Sequence, residues 1–405
     1  MGSDEMRIAV IGCGIMGRAA VLDLADDEIS PDVEAILVGD LDERKVKRVS
    51  SEARKLTGSK DVHFGVLDAR DRERVSQVLE SFDADVVLNA ALYDTIPSVM
   101  RAALDSGISY VDLGDDVETL RWQRSLEGAF MDRGIAALVE MGGSPGLINV
   151  MASLAVRELE RVERITLREG WIDLNDYDSL GIPLPVPYSL ETIFDELEQP
   201  AEVWDDGRIR LVEPFSGLEE VNFPDPVGRQ EVYYVEHPEV YSLAMTFKDR
   251  GVRFVDYKLS FPRDLLLKYK LLHDLGLTKT ESVELDGVEI VPRRLVAELV
   301  RRSLEGVEVR PNDYDVMIAK ASGWRGDLGV EAVVVAKIRW SERWNASAQA
   351  LLVGSPASLA AQWLALGLIQ EPGVHYPEEV VEPIPFLREM ETRGMEFRLR
   401  VTLSA

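Results

Sequence analysis

A chain of 405 residues is longer than one hydrophobic core ordinarily serves, so two domains are expected. Its 46% hydrophobic and 29% charged residues are those of a folded globular protein and argue against extended disorder. A formal net charge of −27 disfavours nucleic acid and anionic membranes as partners, and a single cysteine, Cys13, excludes an intramolecular disulfide and points to a cytoplasmic setting.

The first apolar run, "RIAVIG", leads straight into "IGCGIMGR" and a helical stretch, "IMGRAAVLDLADD". Acids precede that run and no small-residue cleavage signal follows it, which speaks against a secretory peptide. The strands that come next, "VEAILVGD", "DVHFGVLDA", "DVVLNAA", "YVDLG" and "IAALVEM", are nearly continuous in apolar character, as strands covered on both faces must be. Helical spacing fills the gaps in "ERKVKRVSSEARKLT", "RERVSQVLESF", "TIPSVMRAALDSG" and "TLRWQRSLEGAFMDRG". Strand and helix in strict turn predict an α/β fold, a Rossmann doubly wound parallel sheet over residues 1–141.

From residue 142 the grammar changes. Alternating strands ("RITLREGWI", "VRFVDYKLSF", "EAVVVAKIRW"), a Pro-rich loop from Gly181 to Pro187 and a helical "PRRLVAELVRRSLEG" predict an α+β domain with a mixed or antiparallel sheet over 142–354. Its exposed faces suit self-association, so a homodimer is expected. No charge occurs from Asn345 to Gln370, a length that could span a bilayer. The reading is otherwise: "ASAQALLV" alternates like a strand, Gly354-Ser355-Pro356 breaks it, and a buried helix starts with Ser355 as N-cap and Pro356 in first position. That helix, about 355–380, is expected to return to the first domain, and no membrane partner is expected.

The glycines Gly12, Gly14 and Gly17 follow a strand and open a helix, and the next strand ends in Asp40. Each has a task in a dinucleotide site: Gly12 for the tight turn, Gly14 for close approach of a pyrophosphate, Gly17 for helix–strand packing. The pyrophosphate would sit on the free amides of the first turn, at Ile15 and Met16. Asp40 would accept from a ribose 2′-hydroxyl and repel a 2′-phosphate, which favours NAD, while nearby Arg44 and Lys45 leave NADP possible. Asp68, ending the third strand, either meets the adenine amine or caps a turn. Asn89, Ala90 and Ala91 end the fourth, where small residues leave room for the nicotinamide ribose, although Asn89 suits a turn cap as well. Cys13 reads as a small apolar filler. His63, His237, His273 and His375 are scattered without ligand spacing, so no metal is expected.

Three segments are more specific than the glycines: "SYVDLGDD" (109–116), "VEMGGSPGLINVMA" (139–152) and "GSPASLAAQWLALGLIQEPGVHYPEEV" (354–380). In order and spacing they resemble the saccharopine dehydrogenase family, nearest to its lysine 6-dehydrogenase branch, and the likeness runs over nearly the whole chain. The resemblance implies a nicotinamide-dependent oxidoreductase acting at a carbon–nitrogen bond of an amino acid. It implies that Gly114 and Asp115, with Pro145 and Gly146, flank the nicotinamide, and that Arg253 and Lys258 lie on a strand that holds substrate carboxylates. The chain departs from the family pattern at "REGWIDLND", with Trp171 and extra acids, and at "SFPRDLLLKYKLL", which leaves the substrate open.

Oxidising an amine needs a hydride acceptor, a base and anchors for the substrate's ends. Asp115, after a strand end, is the leading candidate base, with Tyr93 and Glu140 in reserve; a solvated loop acid is the plain alternative for Asp115. Ser144 would cap the helix of "GSPGLIN", whose amides would hold a carboxylate or need no ligand at all. Arg253 and Lys258 are five apart on a strand and so point to opposite faces unless a bulge intervenes. Two other readings stand beside the dehydrogenase: an NAD-binding sensor without turnover, and a condensing reductase of polyamine synthesis.

Overall fold

The computed structural model describes residues 6–114, 116–304, 306–307 and 309–404. The first part alternates β1 (Met6–Ile11), α1 (Ile15–Ala25), β2 (Val33–Asp40), α2 (Glu43–Leu56), β3 (Asp61–Val66), α3 (Arg72–Phe82), β4 (Val86–Asn89), α4 (Ile96–Ser106), β5 (Ser109–Asp112), α5 (Val117–Arg124), α6 (Glu127–Arg133) and β6 (Ala136–Leu138). The continuous apolar character of these strands has a direct reading. On β1, Ile8 and Val10 enter one buried cluster while Ala9 and Ile11 enter another, so both faces are covered.

The second part opens with α7 (Leu147–Arg157) and the long β7 (Arg161–Asp173), followed by α8 (Leu190–Glu198), β8 (Ala201–Asp205), β9 (Arg208–Val212), β10 (Glu219–Asn222), β11 (Arg229–Tyr233), α9 (Glu239–Phe247) and β12 (Phe254–Ser260). After α10 (Arg263–Asp274), a small hairpin of β13 (Val283–Leu285) and β14 (Val288–Ile290), and α11 (Pro292–Ser303), the chain forms β15 (Asp313–Arg325) and β16 (Leu328–Arg339). It then runs through α12 (Ala348–Ala365), β17 (Gly373–His375), α13 (Pro377–Val380), α14 (Pro383–Thr392) and β18 (Glu396–Ser404).

Two sheets result. The first is seven-stranded and parallel, in the order β17-β6-β5-β4-β1-β2-β3, so the strand order reverses between β1 and β4. In such sheets ligands collect at that reversal, beyond the carboxyl ends. The second is mixed and nine-stranded, β10-β11-β12-β7-β15-β16-β18 with β8 and β9 branching from β12, β12 and β7 parallel and β15 antiparallel to β7. The C-terminal segment serves both: β17 extends the parallel sheet beside β6, and β18 pairs with β16.

One expected element is corrected. Residues 346–353 do not form a strand, and Ser355 does not start a helix. A single helix runs through Pro356 from an N-cap at Ser347, whose side chain accepts from Ala350 N–H. The helix is buried on nearly every side, so it shows no polar face and its small residues mimic alternation. Gly354 explains the tight crossing: a Cβ there would lie 2.7 Å from Met16 O and 2.8 Å from Ala19 Cβ, so α12 sits directly on α1. No helix among the described residues is long and apolar enough to cross a membrane.

Candidate active site

The carboxyl ends of the parallel strands open on a cleft of about 1140 Å³ whose far wall is the second sheet. Its first half fits a dinucleotide. Gly12 has φ +106°, and a Cβ on it would lie 2.4 Å from Ala91 N, so the turn admits no side chain. A Cβ on Gly17 would lie 2.0 Å from Gly12 O, whereas Gly14 faces open space with nothing within 4 Å. Gly14 caps α1 without any side-chain hydrogen bond, which leaves the helix N-terminus to an anion. Ile15 and Met16 line the same wall. Asp40 fixes the loop: Cys13 N–H donates to Oδ2 at 2.6 Å and Asp42 N–H to Oδ1 at 2.8 Å. Each carboxylate oxygen keeps a lone pair for a sugar hydroxyl. Asp68 is both turn cap and cleft residue, accepting from Arg70 N–H at 3.0 Å and facing the Arg70 guanidinium at 3.5 Å. Burial pushes the Cys13 thiol up to about 12, so it stays an inert filler.

The second half is a floor made by β12, β7 and β15. Cross-strand register sets which side chains share it: Leu259 opposes Glu169, Met317 opposes Glu169 and Asp315 opposes Trp171. Glu169 is buried and accepts at Oε2 from Ser144 Oγ at 2.7 Å and Tyr257 Oη at 3.0 Å. The Tyr257 ring stacks on His237 at 3.9 Å between centroids, and His237 Nδ1 lies 3.1 Å from Glu239 Oε2. Burial alone would lower the imidazole; Glu239, Glu196 and Glu236 outweigh it and hold it at about 9. Burial likewise lifts Glu196 to about 7 and Glu236 to about 8. Asp173, Asp313 and Asp315 complete an acidic lining. Among the described lining residues the only Lys and Arg are Lys45 and Arg70, both in the dinucleotide half.

Several expected site residues stand elsewhere or serve otherwise. Asn89 is turned inward, donating to Thr95 Oγ1 at 3.2 Å and accepting from Ala91 N–H at 3.2 Å, which leaves Ala90 and Ala91 at the cleft. Gly114 and Pro145 line the cleft in mutual contact: a Cβ on Gly114 would lie 2.8 Å from Pro145 Cγ. Gly146, with φ +125°, is packed against Gly142 and shapes the turn behind them. Ser144 does not cap α7; Gly146 does, its N–H donating to Asn149 Oδ1 at 3.0 Å, and Ser144 is free to serve Glu169. Glu140 sits behind the wall in a left-handed conformation (φ 60°), 1% exposed, with neither carboxylate oxygen hydrogen-bonded. Burial and the nearby Glu378 and Glu239 hold its carboxyl well above the usual range. Tyr93 is at the cleft, its hydroxyl 3.4 Å from Asp195 Oδ2 across the gap. Asp115 lies outside the described residues.

The two expected carboxylate anchors are both elsewhere. Arg253 is surface-exposed and paired with Asp206, and Lys258 points to the face opposite Tyr257, where it pairs with Glu219 at 2.9 Å over the Tyr234 ring. Alternation along β12 places Tyr257 and Leu259 on the cleft side, so Lys258 must leave it. Reading by motif passes over Glu169, His237, Tyr257, Asp313 and Asp315. Their signal is parity: Glu169, Trp171 and Asp173 alternate on one strand face, and Asp313 and Asp315 repeat the pattern on the neighbouring strand. Among the described residues no group of three His, Cys, Asp or Glu side chains is placed to hold a metal ion.

Residues 8–138 match the saccharopine dehydrogenase NADP binding domain, and residues 142–395 match the saccharopine dehydrogenase C-terminal domain. The chain is 22% identical over 404 residues to carboxyaminopropylagmatine dehydrogenase of Synechocystis sp., covering 96% of each chain. It is 24% identical over 371 residues to carboxynorspermidine synthase of Vibrio cholerae, covering 87% of this chain and 86% of that one. Apo saccharopine dehydrogenase (L-Glu forming) from Saccharomyces cerevisiae has the same fold, with a TM-score of 0.71 at 18% identity over 98% of this chain and 100% of that one.

Proposed function

The chain belongs to the saccharopine dehydrogenase family of nicotinamide-dependent oxidoreductases, and on that premise we propose that it makes or breaks a carbon–nitrogen bond in an amine carrying several ammonium groups. The observation that carries this reading is the substrate half of the cleft, lined by Glu169, Asp173, Glu196, Glu236, Asp313 and Asp315 with no described Lys or Arg among them. Among the described residues these carboxyls have only His237 as a cationic neighbour in that half of the cleft, and they would gain a partner from a substrate ammonium but not from a carboxylate. The cations expected to hold a carboxylate, Arg253 and Lys258, are paired away from the cleft. Two relatives bear names of carboxylated polyamines, amines that an acidic pocket suits.

A nicotinamide cofactor held over Gly12, Gly14 and Asp40 would supply or accept a hydride at the carbon of the reacting bond. The proton falls to His237, in preference to Asp115, Tyr93 or Glu140. Glu239 holds its Nδ1, Tyr257 fixes the ring plane, and Nε2 carries the exchangeable proton. Glu169, fastened by Ser144 and Tyr257, draws the substrate ammonium to the ring. Asp40 gripping the adenosine ribose favours NAD over NADP.

The test is to incubate the protein with reduced cofactor, a diamine and a carboxylate-bearing aldehyde, and to look for the secondary amine by mass spectrometry. Formation of that product supports the reading. Cofactor binding with no product across the panel supports a sensor instead. His237→Asn is expected to lower kcat by about 10²- to 10⁴-fold with cofactor affinity unchanged.

A further inference from the structure

We propose that Asp315, with Asp313 one step further along β15, forms a subsite for the terminal ammonium of a linear aliphatic amine and thereby selects substrates by chain length and end charge. The subsite rests on the reading that this cleft takes an amine. Asp315 is 1% exposed, lines the cleft, and neither of its carboxylate oxygens has a hydrogen-bond partner. Asp313 accepts at Oδ2 from Gln349 N–H, a long bond of 3.5 Å, and feels the Ala348 amide as well, while its Oδ1 has no hydrogen-bond partner among the described residues. A buried carboxylate without a partner is a costly arrangement, and a ligand cation would supply the missing one. Among the described residues no basic side chain does so: burial, and then the negative charges of Glu169 and Asp313, hold the Asp315 carboxyl well above the usual range.

The spacing suits a chain of amines. Register places Asp315 across from Trp171, one pleat from Glu169, and Asp313 across from Asp173. Two residues of antiparallel strand span about 6.8 Å. Successive carboxylates on the floor are therefore separated by about the distance between nitrogens joined through four or five methylenes. The Trp171 ring between them, fixed by its bond to Ser260 O at 2.9 Å, offers an apolar and π surface to the methylenes and the ammonium.

The experiment is calorimetry on the cofactor-saturated protein with putrescine and with N-acetylputrescine, which has the same carbon chain but one end charge removed. The wild type is expected to prefer putrescine by about 30-fold, the size of one charge-assisted hydrogen bond. Asp315→Asn is expected to cut that preference to about threefold, leaving N-acetylputrescine and cofactor affinity as they were; Asp313→Asn should lower it less. Full preference retained in Asp315→Asn, or equal weakening of both amines, would overturn the subsite, as would a wild type that binds neither. Because binding is read without turnover, a protein that prefers putrescine but forms no product would sink the proposed reaction and leave the subsite standing.

Discussion

Asp40 ties down the glycine loop through Cys13 N–H and lines the cleft, where it is proposed to grip the adenosine ribose. Asp40→Ser should therefore weaken NAD binding about tenfold or more while NADP binding falls much less, as titrations of the two cofactors will register. His237 gives a prediction with a definite sign. Its folded value of about 9 lies above the ordinary 6.5, so the stability it contributes is fully present below about pH 6.5 and is lost as pH rises through about 9. In His237→Gln the melting temperature should fall well below wild type at pH 6 and approach it by pH 9.5, a difference on the order of a few kcal/mol. A gap that stays constant with pH would show that the ring acts by packing alone.

At the scale of elements, the α1–α12 crossing links the fold to the cofactor. Gly354→Ala would place a methyl inside van der Waals distance of Met16 O, Ala19 Cβ and Ala20 N, so a loss of about 1–3 kcal/mol is expected in denaturant melts. Because the proposed pyrophosphate site lies at the N-terminus of α1, NAD affinity should weaken with it; unchanged affinity would mean that the helix shifts without disturbing Gly12 and Gly14. This crossing also marks where the sequence stops being legible. The parallel sheet announces itself, since strands buried on both faces are apolar throughout and the glycines at Gly12 and Gly17 are demanded by contacts under 3 Å. A helix buried on all sides, such as Ala348–Ala365, carries no periodic signal, and Pro356 reads as a start when it lies inside. β15 is hidden for the opposite reason, because Asp313 and Asp315 occupy positions where a half-buried strand normally shows apolar residues. β18 lies beyond the helix with which the sequence reading closes the fold.

Across the whole molecule, charge is spent unevenly. The net −27 includes carboxylates that face a cleft or lie inside the fold. Burial holds cleft-lining Glu196 at about 7 and Glu236 at about 8, and Glu378, buried beside Asn149, at about 7, against an ordinary 4.5. Raised acids favour the folded state only while protonated, so their effect on stability is full below about pH 4.5 and declines as pH rises toward 8. Glu236→Gln should accordingly raise the melting temperature more at pH 8 than at pH 5, and a linear diamine should protect the wild type most at the higher pH. The most direct test of the central claim, that an acid-floored cleft beside the dinucleotide is built for a polyammonium amine, is the ratio of two specificity constants. One is kcat/KM for reductive coupling of a diamine to a carboxylate-bearing aldehyde; the other is kcat/KM for oxidation of free lysine. The first is expected to exceed the second by about a thousandfold, the worth of about two charged contacts. Lysine turned over as well as the diamine pair, or better, would contradict it.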